Sequence, residues 1–585
     1  MGCRHPAPGP RGTGGVYKGI PKLEINEELE RVVKSKQFRD SEQLQDLLVY
    51  VVENTVAGNG EKLNQAVLSR DVFGRGDDFD PQKDSIVRTE AARLRRKLPV
   101  YYATEGKDDH LVIELTKGSY KPSFTRAQPP RPRDPRTVAV LPFANQSDDP
   151  KLDHFCDGIA DDIINALSQS RDLKVIGRIS MRALRGLDCK DVGIRLGAGT
   201  VVNGSVRTSG SLVKIHAEII DTETREVRWA KNFERPMHDV FIVEREVAIA
   251  VFNTLNARPH VRRLIRDAPN MDAYLMFLRG RAAWDMANED GYLKAAEIFE
   301  TAINLFPTYA SAHAGLSDAY VRLALWGYSR PLDVLPNAVQ AAKEAIKLGP
   351  ESAHANATFA IAKAWSEWGW KEGIATASKA VELLPSNVYA QEVFGFALLH
   401  GEVDDALPCF EQCVKLDPYS VYSNRILGFA YYLARRFTNA DQWLLAANAI
   451  DETTETNILL ARSYLSQKRC HAAMELSRRS VEHPAGLSVL GACYAELNHR
   501  EEAQNILTRL ERMKEVRWIQ PRSFVRIYTA LGDKDQAIKY LAESMEEREP
   551  FSLFMKHDPE FDPLRGDPRF EELLARLDQT KPLAA

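Results

Sequence analysis

The sequence predicts a multidomain protein of mixed α/β and all-α class: a helical N-terminal module ending in a short hairpin, an α/β middle region and a long α-solenoid. Three observations predict it. The chain has 585 residues, too many for one hydrophobic core, so several separate cores are expected. Two punctuating segments, the Pro-rich "TRAQPPRPRDPRT" (125–137) and the basic "NARPHVRRLIRDAPN" (256–270), divide it. The region after the second carries an internal helical repeat. The expected boundaries are a flexible tail over 1–20, the helical module over 21–126, a linker over 127–136, the α/β domain over 137–256 and the solenoid with a C-terminal cap over 270–585.

In the first module, "SEQLQDLLVYVVENTVAG" and "EKLNQAVLSRDVFGR" read as amphipathic helices, followed by "DSIVRTEAARLRRKLPVYY" over 84–102. At 100 degrees per residue, Val87, Ala91, Leu94, Leu98, Tyr101 and Tyr102 fall within an arc of about 100 degrees, as a helix packed on a core requires. Asp84 or Ser85 supplies an N-cap, and Pro99 is expected to end or kink the helix. Arg96 and Thr89 point away from the packing face, Arg93 lies beside them and Arg88 and Arg95 run along one border, opposed only by Glu90. A solvated helix face ordinarily mixes both signs of charge, so this lopsided one is suited to phosphate. Two short strands joined at "TKGS" follow in "HLVIELTKGSYKPSF".

The middle region alternates. A buried strand (Val138 to Phe143), an amphipathic helix (Asp157 to Leu167) and a second strand (Leu173 to Ile176) precede a meander of Val202 to Arg207, Leu212 to Ile220 and Glu226 to Phe233, with turns at "SGS" and "DTET". Asp157, Asp161 and Asp162 are read as capping residues at the start of their helix rather than metal ligands.

In the third region a small residue, a larger one four on, a small one three further and a Pro five beyond recur as Ala295, Phe299, Ala302, Pro307; Ala338, Ala342, Ala345, Pro350; Gly373, Ala377, Ala380, Pro385; and Ala406, Phe410, Cys413, Pro418. Ala440, Leu444 and Ala447 repeat the spacing with Glu452 in the Pro place, giving steps of 43, 35, 33 and 34 residues. The first step carries an insertion around "LWGYSRPLD". Small residues let paired helices approach closely and Pro ends each hairpin. These steps identify tetratricopeptide-like hairpins, about seven or eight of which fit between 270 and 545. The end, "FSLFMKHDPEFDPLRGDPRFEELLARL", is expected to cap the last repeat.

Composition removes other classes. A net charge of −4 and a pI near 6.4 confine any nucleic-acid site to a local patch. The seven cysteines are scattered and never spaced CxxC, which fits reduced thiols in a cytoplasm; no stretch approaches a membrane span. No phosphate loop, nucleophile elbow, HExxH or calcium loop is present, so no catalytic residue, cofactor or metal is expected.

Helix, helix, charged helix, hairpin is the order of a winged helix-turn-helix. "VRTEAARLRRKL" followed by "LVIELTKGSYKPSF" resembles the recognition helix and wing of OmpR-type response-regulator output domains. The resemblance implies double-stranded DNA as partner, with Arg88, Thr89, Arg93 and Arg96 facing the groove, Arg95 and Lys97 flanking, and Lys117 and Lys121 contacting phosphate from the wing. The chain departs from that family in showing neither a receiver domain nor a four-stranded sheet ahead of the helices. "VAVLPFANQSDDP", "DGIADDIINALS" and "VVNGSVRTSG" resemble the TolB-like amino-terminal domain of bacterial regulators and cyclase-like proteins. The combined expectation is a cytoplasmic bacterial DNA-binding transcriptional regulator whose solenoid receives a protein partner. Two alternatives stand: an interaction scaffold that does not bind DNA, and an enzyme, since TolB-like and tetratricopeptide regions are often joined to class III nucleotide cyclases. No region is left over to fold as a cyclase, so a non-enzyme is expected.

Overall fold

The structure is a computed structural model that describes residues 16–17, 20–39, 41–75, 86–106, 109, 111–115, 120–126, 133–147, 149, 152–209, 212–258 and 270–578. The chain divides into two compact units, Met1–Arg131 and Pro132–Ala585.

The first unit contains β1 (Val16–Tyr17) and β2 (Ile20–Pro21), which pair antiparallel, then helices α1 (Lys22–Lys34), α2 (Glu42–Val56), α3 (Gln65–Asp71) and α4 (Ile86–Ala103), then β3 (Leu111–Glu114) and β4 (Ser123–Arg126). The β1–β2 ladder reaches into the stretch expected to be a tail, and α1 has no counterpart among the expected helices. The β3–β4 hairpin runs in register from Leu111 opposite Arg126 to Glu114 opposite Ser123. Ile25 and Leu29, Leu44 and Leu48, Leu68, Leu94 and Leu98, and Ile113 meet in one core drawn from all four helices and the hairpin. Two polar contacts tie α1, α4 and β3 together: Tyr102 donates its hydroxyl to Glu28 Oε1 at 3.0 Å and accepts the Ile113 amide at 2.8 Å. Pro99 does not end α4, because a proline removes a single backbone bond of the last turns while its neighbours Leu98 and Tyr101 stay buried. The proposed N-cap residues, "GDDFDPQKD" and the Thr116–Ser119 turn with Lys117 lie outside the described residues.

The second unit opens with a mixed sheet, β5 (Asp134–Val140), β6 (Ala144–Asn145), β7 (Lys174–Val175), β8 (Ala198–Ser209), β9 (Leu212–Asp221) and β10 (Val227–Pro236), in the order β10-β9-β8-β5-β7 with β6 on β8. Strands β5, β7 and β8 are parallel and the β8–β9–β10 meander is antiparallel. The expected turn at "DTET" is an Asx turn, with Asp221 Oδ1 accepting the amides of Glu223 at 2.8 Å and Thr224 at 3.0 Å. Strand β5 begins at Asp134, inside the segment read as a linker. Helix α5 (Asp153–Leu167) starts a turn before the expected Asp157, and α6 (Arg178–Ala183), α7 (Cys189–Leu196) and α8 (Val240–Thr254) complete the domain.

Sixteen helices follow as eight hairpins: α9 (Met271–Trp284) with α10 (Glu289–Leu305), α11 (Ala310–Trp326) with α12 (Pro331–Leu348), α13 (Ala353–Glu367) with α14 (Trp370–Leu383), and α15 (Val388–Leu398) with α16 (Val403–Leu416). The other four are α17 (Val421–Leu433) with α18 (Phe437–Ile450), α19 (Thr454–Ser466) with α20 (Cys470–Arg478), α21 (Pro484–Glu496) with α22 (Arg500–Lys514), and α23 (Arg522–Leu531) with α24 (Lys534–Glu546). The insertion lengthens the second hairpin, whose helices have 17 and 18 residues. Small residues act as expected: a Cβ on Gly395 would lie 2.8 Å from the Phe410 ring, and one on Gly428 2.7 Å from Leu444. The C-terminal stretch forms two 3-10 turns, Pro550–Phe554 and Pro559–Leu564, and helix α25 (Pro568–Asp578).

The α/β domain and solenoid do not have separate cores. Val140, Ile159 and Val251 of the domain share one apolar cluster with Tyr274, Phe299 and Ala312 of the first hairpins. Asp157, Asp161 and Asp162 therefore do not cap α5. They lie within it, where Asp161 accepts from Arg182 at 2.9 Å and from Arg281 of α9 at 2.7 Å, and Asp162 accepts from Tyr274 at 2.8 Å. Residues remote in sequence supply the partners, which turns acids read as caps into the seam between domain and solenoid.

A second seam lies at the α16–α17 turn. Gly177 donates its amide to the Leu416 carbonyl at 2.7 Å, and Ser180 donates its amide to Asp417 at 2.7 Å. A Cβ on Gly177 would come within 2.6 Å of that carboxylate. Burial pushes the Asp417 carboxyl up to about 6, against the opposing pull of the Ser180 donors. An acid whose pKa is raised by folding holds its proton more tightly when folded, so this contribution is full below about pH 4 and is lost as pH rises through about 6. Asp417→Asn is expected to remove on the order of 2–3 kcal/mol of pH-dependent stability across that window. Urea midpoints of both proteins at the two ends of the window measure it, and parallel pH profiles would refute it.

Candidate functional site

Two surfaces are candidates, one in each unit. On α4, burial divides the helix cleanly. Val87, Ala91 and Leu94 have no exposed surface and Leu98 and Tyr101 almost none, while Arg88, Thr89, Arg93 and Arg96 are exposed. The helical period that buries the first set fixes the direction of the second. Arg93 pairs with buried Glu90 one turn back, Nη1 to Oε1 at 2.9 Å, which orients its guanidinium along the outer face. Arg95 is half-buried with its guanidinium carbon 5.9 Å from the ring of Tyr120, three residues before β4. Lys97 faces inward: it donates to the Gln37 carbonyl at 2.6 Å and to Ser41 Oγ at 3.1 Å, and lies 5.7 Å from the Phe38 ring. It holds the α1–α2 connection. Lys121 is half-buried, its stem 3.2 Å from where a Cβ on Gly60 would stand. The structure thus gathers Arg88, Thr89, Arg93 and Arg96 on one surface, with Arg95 at its border and Lys97 and Lys121 engaged with neighbouring loops.

The second candidate is the inner face of the solenoid, lined by the first helix of each hairpin. The superhelix is tightly wound: Tyr328, just after α11, hydrogen-bonds Glu455 of α19, and the Arg425 guanidinium carbon of α17 stands 4.5 Å from the Trp326 ring of α11. Across this face run residues 550–564. The expectation that the C-terminal stretch covers the last repeat holds for α25, which packs on α24, but not for the part before it. Phe551 lies between Trp326 and Phe429, ring centroids at 5.9 and 5.5 Å, and Phe554 between Phe396 and Phe429 at 6.3 and 5.7 Å. Beyond them Asp558 has no exposed surface, accepting from Tyr432 at 2.8 Å, from Arg462 at 2.5 Å and from Arg522 at 2.9 Å. Glu560 accepts from Arg522 at 3.0 Å and Arg526 at 3.1 Å. Burial alone would raise the Glu560 carboxyl, but Arg526, Arg522 and Arg462 outweigh it and hold the carboxyl below its ordinary range.

The sequence alone does not single out these groove residues. The signal present was Arg522 and Arg526, one turn apart in "RSFVRIYTAL", and the recurrent Asp-Pro of "HDPEFDPLRGDP". Nothing local says that the two meet. Among the described residues, no group of three or more His, Cys, Asp and Glu side chains could hold a metal ion, and no helix is long and apolar enough to cross a membrane.

The eight stacked hairpins define the class: a C-terminal tetratricopeptide-type solenoid. No known protein-family profile matches the chain. Over 252 residues, 42% of this chain, it is 32% identical to "Putative adenylate cyclase 3" of Rhizobium meliloti (strain 1021); the aligned stretch spans 43% of that relative, under half its length. Over 462 residues it is 21% identical to Transcriptional regulator HilA of Salmonella typhimurium, covering 76% of this chain and 79% of that one. Among solved structures, it is similar to YrrB, a TPR protein described as having an unusual peptide-binding site, at 19% identity and TM-score 0.21 over 32% of this chain and 90% of that one.

Proposed function

We propose that the chain is a DNA-binding transcriptional regulator in which a winged-helix-like first unit reads DNA through α4, a TolB-like α/β domain links it onward, and the solenoid receives a protein partner. The observation that carries this reading is the exposed arc of Arg88, Thr89, Arg93 and Arg96 opposite a fully buried apolar face, followed in the chain by a two-stranded hairpin. Such a helix offers guanidiniums to phosphate and short or forked side chains to base edges in a major groove of matching width. The similarity to a transcriptional regulator over most of the chain supports the same reading. The chain acts by binding and not by catalysis, in the cytoplasm; turnover in a nucleotide-cyclase assay of the full chain would overturn that part.

A salt titration of duplex DNA binding by the full chain tests the proposal. The wild type should show a steep log–log slope, and Arg93→Ala with Arg96→Ala should flatten it by about 2, the loss of two phosphate contacts. A second reading, an interaction scaffold that binds no DNA, is favoured by the inward Lys97, which takes one cationic group into the fold, and by the Arg93–Glu90 pair, which partly neutralises another. Undetectable affinity at low salt, or a double variant indistinguishable from wild type, would select the scaffold.

A further inference from the structure

The inner face of the solenoid is already filled, and the way it is filled specifies what else fits there. Residues 550–564 are not a continuation of the repeat. They form 3-10 turns instead of helix hairpins, and their side chains meet helices α11, α15, α17, α19 and α23, which span the second to the eighth hairpin. The contact has two parts. Phe551 and Phe554 occupy an aromatic wall made by Trp326, Phe396 and Phe429. Asp558 and Glu560 meet Arg462, Arg522 and Arg526, whose side chains are each 5% exposed or less.

A groove that were only a core would be expected to close on apolar residues, because burying three guanidiniums costs more than burying aliphatic side chains of similar volume. The guanidiniums are not saturated either. Among the described residues, no group accepts from the buried Nε of Arg462 or of Arg522. A residual pocket beside Phe551 is walled by the same three arginines with Trp326 and His483. Buried, partly unpaired arginines next to an aromatic wall are the chemistry of a receptor for a peptide with acidic groups, each carboxylate taking charge-assisted bonds from a planar fork.

We propose that this groove is the solenoid's peptide-binding site, that its ligand is a short segment carrying two aromatic residues followed by an acidic pair, and that residues 550–564 are its intramolecular occupant, holding the site closed until a partner of the same chemistry displaces them. The inference rests on the solenoid being a partner-binding surface and is independent of whether the first unit binds DNA. Tethering sets the local concentration of the segment in the millimolar range, so a free peptide competes poorly until the segment is loosened.

The test uses the full chain and a fluorescent synthetic peptide of residues 549–566. Fluorescence anisotropy should show weak binding to wild type and about 100-fold tighter binding to Asp558→Ala with Glu560→Ala, whose own segment has lost both anchors. Adding Arg522→Ala and Arg526→Ala should abolish that gain. In the Asp558/Glu560 variant, limited proteolysis should cut within 550–564 at least tenfold faster while the far-UV helical signal persists. A second variant, Phe551→Ala with Phe554→Ala, should open the groove in the same way and take the peptide through the arginines. Failure of both variants to bind the peptide overturns the proposal. Collapse of the helical signal in both also overturns it, since the segment is then a strut of the fold. Neither result bears on the DNA titration.

Discussion

Glu392→Ala is expected to destabilise the second unit by about 3–5 kcal/mol, the cost of leaving a buried charge without its partner. Glu392 on α15 accepts from Arg322 Nη2 on α11 at 2.5 Å and from the Tyr422 hydroxyl on α17 at 2.9 Å, with both ionic side chains 5% exposed or less. Burial pushes the Glu392 carboxyl up, and Arg322 and Tyr422 pull it back. Once the carboxylate is gone, Arg322 keeps, among the described residues, the Tyr422 hydroxyl and two aromatic faces, Trp284 and Tyr422, with its guanidinium carbon 5.3 and 4.6 Å from the ring centroids. Each aromatic contact is worth about 2 kcal/mol in a desolvated setting and neutralises no charge, so they do not replace the ion pair. The companion result separates the pair's net worth from the cost of breaking it. Arg322→Met with Glu392→Leu should recover most of the loss, because an apolar pair of similar volume carries no desolvation penalty. Urea denaturation of the wild type, both single variants and the double variant measures the cycle. A cost under about 1 kcal/mol for Glu392→Ala would mean that water reaches Arg322, and that the inner face between the second, fourth and fifth hairpins is open.

What the sequence discloses here follows the range of the interaction. The packing face of α4 is legible because Val87, Ala91, Leu94 and Leu98 obey one period, and the cationic face is legible as its complement. The hairpins are legible because their close approach demands small residues at fixed spacing. The short α6 and α7 are hidden by their length, and α8, "VFIVEREVAIAVFNT", by apolar residues on several sides, which leave no single face to detect. Asp161 and Asp162 look like capping acids until Arg281 and Tyr274, more than a hundred residues away, are brought to them. Lys97 shows the same effect within the candidate site: its place on a cationic helix suggests phosphate, while Gln37 and Ser41 claim its ammonium. The path of 550–564 is the extreme case. Its Phe and Asp residues suggest a cap, and only the winding of the superhelix determines that they cross its inner face.

The same winding makes a sign reversal measurable at Phe299. This ring on α10 sits between two glycines of neighbouring helices: a Cβ on Gly280 of α9 would stand 2.6 Å from it, and one on Gly315 of α11 2.7 Å. Phe299→Ala is expected to cost about 3–5 kcal/mol, the transfer term plus the cavity left between α9, α10 and α11. Gly315→Ala alone should cost about 1–3 kcal/mol, since the ring has no room to withdraw from a new methyl. In the Phe299→Ala background the same Gly315→Ala change meets empty space. There it should stabilise by up to about 1 kcal/mol, the helix-propensity difference between glycine and alanine, with some further gain from filling part of the cavity. The coupling is therefore about 1–4 kcal/mol and the effect of one methyl changes sign with its neighbour. Chemical denaturation of the four proteins reads it directly. Additive effects would show that α10 shifts away from α11 at little cost, and that the glycines are not what sets the spacing of the hairpins. Phe299 also belongs to the core shared with the α/β domain, so the expected cost should appear in the unfolding of domain and solenoid together as one transition.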